Sequence, residues 1–249
     1  MVDRMMNKNP FWLLITTCLL AFLTGACSVE DNREFREISV SPFEKLSVDG
    51  VMEVVLEQGA GNFVRIEGYP WVLNDVEVKS GDGALEITYK MNGKWLSPKG
   101  NKVVVTVGFR DLKVIDAYSS ASFRSKGRIT GDALRFVFQG TPRIGEFDLD
   151  LDLNYFSYWN SHLAGGRMNL SGRVGQLDLY LFSTMSVNAK NLSAESVLIK
   201  TWSLGDTRLN ISNKIVYGLY GAGNILVSGR PGNVVLLERK STGNLIFVD

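Results

Sequence analysis

Phe147-Asp148-Leu149-Asp150-Leu151-Asp152-Leu153 decides the fold of this 249-residue chain. Apolar and charged residues alternate with period two, the pattern of a β-strand that buries one face and wets the other. The phenylalanine and the leucines enter a core while the three aspartates face water. Outward from this stretch the second half repeats. Apolar strand starts recur at Leu112, Leu134, Leu153, Leu177, Val197, Ile215 and Val234, with spacings of 22, 19, 24, 20, 18 and 19 residues. That rhythm predicts a solenoid: each coil supplies short strands that cannot bury their apolar side alone, and stacking coil on coil makes a continuous core of in-register parallel strands. The last coils agree most closely. Gly205, Gly223 and Gly243 lie 18 and 20 residues apart in Leu204-Gly205-Asp206, Ala222-Gly223-Asn224 and Thr242-Gly243-Asn244, where a turn repeats from coil to coil.

The first half is also strand-rich but less regular. Phe43–Val48, Val51–Glu57, Phe63–Glu67, Val76–Lys79, Ala84–Tyr89 and Lys102–Val107 are short and rich in β-branched residues. Gly50, Gly59, Gly61, Gly68, Gly81, Gly83, Gly93 and Gly100 separate them. No stretch of ten residues carries a persuasive helical stripe; Asn191–Lys200 comes nearest, yet Val197-Leu198-Ile199 fits the strands around it better.

The N-terminus sets the compartment. Arg4 and Lys8 precede an apolar run, Phe11–Leu23, too short for the roughly 20 residues of a membrane-spanning helix. Residues 1–26 therefore read as an export signal. Leu23-Thr24-Gly25-Ala26-Cys27 resembles a bacterial lipobox, in which cleavage leaves the cysteine to carry acyl chains into a membrane; Thr24 departs from the usual leucine, and an ordinary signal peptide with an incidental Cys27 is the alternative. Cys18 lies in the discarded segment, so the mature chain has no thiol pair for an internal disulfide. Residues 27–41 read as an acidic tether. Its carboxylates resemble the surface-export signal of lipoproteins in the Bacteroides group, and a solvated linker is the equal alternative. The predicted location is the outer membrane, with the body on either side. Removing Asp3, Arg4 and Lys8 takes 27 basic and 26 acidic groups to 25 of each, a balance that offers nothing to nucleic acid.

Phe43-Glu44-Lys45-Leu46-Ser47-Val48-Asp49-Gly50-Val51-Met52-Glu53-Val54-Val55-Leu56-Glu57-Gln58-Gly59, followed by Val64-Arg65-Ile66-Glu67-Gly68, resembles the opening of the auto-transporter adhesin head domain family, secreted or lipid-anchored bacterial proteins. The resemblance runs from about residue 42 to the C-terminus. It implies an all-β, right-handed parallel β-helix with a less regular N-terminal β region, here residues 42–110, continuing into coils over 111–249, and an adhesin role that rests on fold analogy. The central coils are aromatic-rich where the family's are rich in glycine and serine. No catalytic motif accompanies the family.

Residue chemistry agrees with a non-enzyme. His162 is the sole histidine, and no zinc set, serine triad or cysteine-protease arrangement can be assembled; no cofactor or metal is expected. Asp148, Asp150 and Asp152 share one outward face at about 6–7 Å between neighbours, a spacing open to glycosidase carboxylates but better explained as a solvated face. Gly221-Ala222-Gly223 and Ser171-Gly172-Arg173-Val174-Gly175 are turns rather than nucleotide loops. Asn191-Leu192-Ser193 fits a glycosylation pattern that a bacterial lipoprotein leaves unmodified.

The aromatic residues carry the binding potential. Tyr155, Tyr158, Trp159, Tyr180, Trp202, Tyr217 and Tyr220 fall at comparable places in consecutive coils, so those pointing outward form a strip suited to sugars or a protein partner, and those pointing inward fill the core. Tyr69-Pro70-Trp71 and Trp95 form a smaller patch or cover the solenoid end. The leading expectation is a lipid-anchored envelope protein, held by acylated Cys27, that binds glycan or protein without catalysis. A polysaccharide lyase or hydrolase on the same scaffold is the alternative, and a self-associating scaffold using Asn244–Val248 is a third; no motif fixes the ligand or the oligomeric state.

Overall fold

The computed structural model describes residues 33–90, 102–140 and 143–248. The signal segment, Cys27 and Trp95 lie outside them. From the N-terminal side the elements are β1 (Glu34–Ser39), β2 (Lys45–Asp49), β3 (Met52–Gln58), β4 (Phe63–Gly68), α1 (Pro70–Leu73), β5 (Val76–Gly81), β6 (Ala84–Tyr89), β7 (Val104–Phe109) and β8 (Val114–Ala117). The long strands β9 (Ala121–Phe138), β10 (Arg143–Asn160), β11 (Ala164–Leu181) and β12 (Ser186–Thr201) follow, then β13 (Thr207–Leu219), β14 (Ile225–Ser228), β15 (Asn233–Arg239) and β16 (Leu245–Phe247). Together they form a β-solenoid of about six turns.

From β9 onward every pairing is parallel and joins a strand to its equivalent one coil away. Leu134, Phe156, Leu177, Val197, Ile215 and Val234 stand in one column, 22, 21, 20, 18 and 19 residues apart. The sequence rhythm slipped at Leu153, whose place in that column belongs to Phe156, and at Leu112, which precedes β8. The cause is a corner: Asn154 and Tyr155 both lie outside the core, so alternation changes phase between Leu153 and Phe156. Counting apolar residues across such a step loses the register. The expected glycine column is real, and its reason is close approach rather than a special backbone angle. A Cβ on Gly205 would lie 2.6 Å from the Met185 carbonyl oxygen, and those on Gly223 and Gly243 would press on the carbonyl oxygens of Gly205 and Gly223.

The N-terminal part breaks the sequential order. β2 and β3 form a coil whose one side pairs with β6 and β7 and whose other side pairs with β8 and β9. The earlier-numbered coil is thus enclosed between later ones. Antiparallel strands then finish that end: β4 on β7, β1 on β4, and β5 on β6. Within the expected tether 27–41, Glu34–Ser39 is instead the strand β1, with Ile38 packed against the core, and residues 27–32 lie outside the described residues. α1 starts on Pro70, whose missing N–H costs nothing in the first turn, and buries Val72 and Leu73 while Tyr69 and Trp71 stack at 4.5 Å.

The core follows from alternation. In β10, Phe147, Leu149, Leu151 and Leu153 are buried, and after the corner Phe156, Tyr158 and Asn160 are buried. The first coils pack rings: Phe147 contacts Phe123, Phe136, Phe138 and Tyr158 with centroids 5.1–5.8 Å away, mostly edge to face. Later coils replace them with Met168, Leu170, Leu179, Ile199 and Leu209. Buried Asn160, the last residue of β10, is satisfied by the next coil: its Nδ2 donates to the Phe182 carbonyl and its Oδ1 accepts the Phe182 N–H.

Candidate functional site

Tyr155-Phe156-Ser157-Tyr158-Trp159 in β10 sorts its rings by parity. Tyr155, Ser157 and Trp159 stand on the outer face, while Tyr158 is fully buried. Among the described residues its hydroxyl has one hydrogen-bond partner, the Met185 sulfur 3.6 Å away, and burial pushes its phenol well above the ordinary value of 10.0. The expectation of Tyr158 in an outward strip is therefore corrected: it is a core ring. Tyr217 shares its column, through Leu179 and Ile199, and packs against the core. It too is removed from the outward set.

The remaining outward rings fall into two groups. Trp202 and Tyr220 belong to a stacked ladder at a corner of the solenoid. The backbone N–H groups of Trp202, Tyr220 and Lys240 donate to the carbonyls of Leu181, Thr201 and Leu219, so these residues occupy one place on successive coils. Phe182 lies 4.6 Å from Trp202 at 5° between planes, and Trp202 lies 4.4 Å from Tyr220 at 10°. His162 leans on the far side of Phe182 at 4.3 Å, and the Lys240 ammonium sits 6.0 Å from the Tyr220 centroid. Trp202 is 38 % exposed, but its two flat faces belong to its neighbours and only its edge meets water. A sugar stacks on a ring face, so the ladder holds coils together rather than offering a platform.

Tyr155, Trp159 and Tyr180 form the second group, on a flat side of the solenoid. Register places Ser157 between Arg135 and Asp178 across the strands, and Trp159 between Val137 and Tyr180. Ser157 is small, so it leaves a trough with Tyr155 and Trp159 to either side along β10. The resulting groove has a volume of about 630 Å³, and its lining includes Arg135, Gln139, Tyr155, Ser157, Trp159 and Tyr180. The Tyr155 hydroxyl donates to Asp178 Oδ2 at 3.0 Å and Gln176 Nε2 donates to Asp178 Oδ1 at 2.6 Å, which fixes the Tyr155 ring. The Lys200 ammonium lies 5.9 Å from the Tyr180 centroid. Partial burial first, and the Asp178 carboxylate second, hold the Tyr180 phenol above its ordinary value, so it stays a neutral donor. Arg135, Gln139 and Ser157 carried no sequence signal of their own; only the registration of β9 against β10 brings them to the rings.

Two of the three aspartates of the acidic run, Asp150 and Asp152, are engaged in ion pairs between coils. Asp150 accepts from Arg128 at 3.0 Å and Asp152 from Arg173 at 3.0 Å. A polar groove of about 480 Å³ gathers Glu53, Glu146 and Asp148 with Arg124 and Arg167. Its arrangement of carboxylates and bases is the kind the enzyme alternative requires. Hydrogen bonds from Lys102 and Arg124 hold Glu53 below the ordinary value of 4.5, opposite to what a general acid needs, and Glu146 pairs with Arg167 at 3.1 Å. Among the described residues no group of three His, Cys, Asp or Glu side chains is placed to hold a metal, and no helix is long and apolar enough to cross a membrane.

The fold is thus a parallel β-solenoid with ion pairs between its coils and a ring-lined groove open to solvent. The chain belongs to the family described as "putative auto-transporter adhesin, head GIN domain", whose model matches residues 42–231. A solved structure of a putative adhesin from Bacteroides fragilis is similar with a TM-score of 0.77 at 19% identity, covering 88% of this chain and 98% of its own. A putative lipid binding protein from Parabacteroides distasonis aligns with a TM-score of 0.60 at 15% identity, and a putative adhesin from Parabacteroides merdae with 0.58 at 16%; each comparison again covers 88% of this chain and 98% of the other. At these identities the likeness concerns the fold. No curated protein matches the chain.

Proposed function

We propose that this protein is a lipid-anchored, outer-membrane adhesion module that binds glycan through the groove of Tyr155, Trp159 and Tyr180, without catalysis. The observation that carries it is the groove itself: rings from adjacent coils, unlike those of the ladder, border open space beside hydrogen-bonding side chains. Family membership supports an exported, cell-surface setting. Cys27 in its lipobox-like context supports the anchor, and Cys27→Ala is expected to move the protein from the membrane to the soluble fraction and to abolish labelling by a palmitate analogue. Labelling that survives the substitution would overturn the anchor. For binding, the full-length protein is applied to an array of bacterial and host glycans beside Trp159→Ala and Tyr180→Ala. Binding that both variants lose while remaining folded is the expected result; binding that both retain, or turnover of the glycan, defeats the assignment.

Self-association has one specific observation in its favour. At the end opposite β1, Leu236, Leu237 and Phe247 are about half exposed, and β15 pairs on one side only. Sedimentation of the purified protein separates this from adhesion: mass that rises with concentration and reverts to monomer in Leu236→Asp supports it, and a monomer throughout rejects it.

A further inference from the structure

We infer that the groove is built for a carboxylate-bearing sugar, a hexuronate or a sialic acid, with Arg135 as the anion-recognising residue. The inference rests on the groove being the glycan site. On the neighbouring faces Arg124 donates to Glu53, Arg128 to Asp150, Arg167 to Glu146 and Arg173 to Asp152, while Arg208, which has no ion pair among the described residues, lies in the column of Arg124 away from the rings. Arg135 is different. Its register neighbours are Val114 on one side and Ser157 on the other, and the next outward residues along β9 are Ala133 and Val137. Among the described residues its guanidinium has no ion pair or side-chain hydrogen bond, and it lies in the lining of the groove beside Tyr155 and Trp159. An arginine fork presents parallel N–H donors matched to a planar carboxylate, and the adjacent rings suit the C–H face of a pyranose.

The other charges near the groove fit this assignment. Asp178 keeps its negative charge, but its oxygens are turned to Tyr155 and Gln176 and it is not part of the groove lining. Lys200, over Tyr180, adds a second positive charge on the same face. A neutral sugar would gain the rings but not the charge-assisted hydrogen bonds of the exposed Arg135, so a carboxylate-bearing sugar gains the most from the groove.

The test measures binding of the full-length protein to two matched pairs of probes: sialyllactose against lactose, and an oligogalacturonide against its carboxyl-reduced oligomer. An acidic probe should bind at least tenfold more tightly than its neutral partner. Arg135→Ala should lose on the order of tenfold or more of that affinity, as removal of a charge-assisted hydrogen bond does, with part restored in Arg135→Lys. Which acidic probe binds tells sialate from uronate. Raising the salt concentration should weaken the acidic probe alone. Equal binding of acidic and neutral partners that Trp159→Ala abolishes would overturn the carboxylate assignment and leave the groove standing. No binding of any of the four probes by the folded protein would overturn the carboxylate assignment, and a glycan array blank as well would remove the groove with it. Arg135 is exposed, so its variants keep the fold, which a thermal melt verifies.

Discussion

Two sets of rings from adjacent positions of one strand meet opposite fates. Phe156 and Tyr158 enter the solenoid, where Tyr158 joins the cluster around Phe147, while Tyr155 and Trp159 stand outside at the groove. Composition does not separate them; parity does, and only after the corner at Asn154 has reset it. The difference teaches that a ring's role in such a fold is set by what covers its faces. Core rings are covered on all sides, ladder rings on both flat faces, and groove rings border the open trough, although each of them exposes less of its surface than Trp202 does.

Substitutions can break that ordering. Phe147→Ala should have the largest effect, about 3–5 kcal/mol in denaturant unfolding, because it empties the centre of the ring cluster. A loss below about 1 kcal/mol would mean the cluster is not cohesive. Trp202→Ala removes two stacked contacts and should cost about 1–3 kcal/mol while leaving groove binding intact; impaired binding would show that the ladder and the groove are coupled, as the edge contact of Phe182 with Trp159 at 6.3 Å would allow. Trp159→Ala should reverse this pattern, with a stability change of about 1 kcal/mol and binding abolished. Tyr158→Phe sharpens the inward assignment: the lost hydroxyl has only a sulfur partner, so stability should move by no more than about 1 kcal/mol and binding not at all.

The smallest effect belongs to the outer ion pairs and shows in pH. Lys102 and Arg124 hold Glu53 below its ordinary 4.5, so its contribution is present above that value and is lost as pH falls through the lowered folded value. Glu53→Gln should therefore flatten the loss of stability on acidification below about pH 4.5, read as melting temperature against pH, with a parallel curve arguing against the effect.

Much of the architecture was legible in the sequence, for a physical reason. Alternation at Phe147–Leu153 and the glycines at 205, 223 and 243 are local consequences of burying one face and of close stacking between coils. Register across corners was not legible, because two successive outward residues look the same as a loop, and Leu153 stood in for Phe156. The site was only half visible. Tyr155, Trp159 and Tyr180 could be named from their type, but Trp202 and Tyr220 look identical to them in sequence and differ only in being stacked. Arg135 came from β9, a coil that the aromatic pattern never pointed to.

The enclosed coil of β2 and β3 bears on how the chain assembles over time. Its side-chain bonds to the next coil, such as Lys113 to Glu44 and Lys126 to Glu57, join residues 69 positions apart, whereas coils farther along meet partners about 20 apart. Closing the longer loop costs more entropy before any contact rewards it. Assembly should therefore run against the direction of synthesis: the β10–β13 stack forms first and offers its edge through β9, and the segment made earliest is inserted last. Pulse-labelled hydrogen exchange during refolding would show this as protection at Leu177 and Val197 ahead of Val54 and Leu56, and simultaneous protection would contradict it.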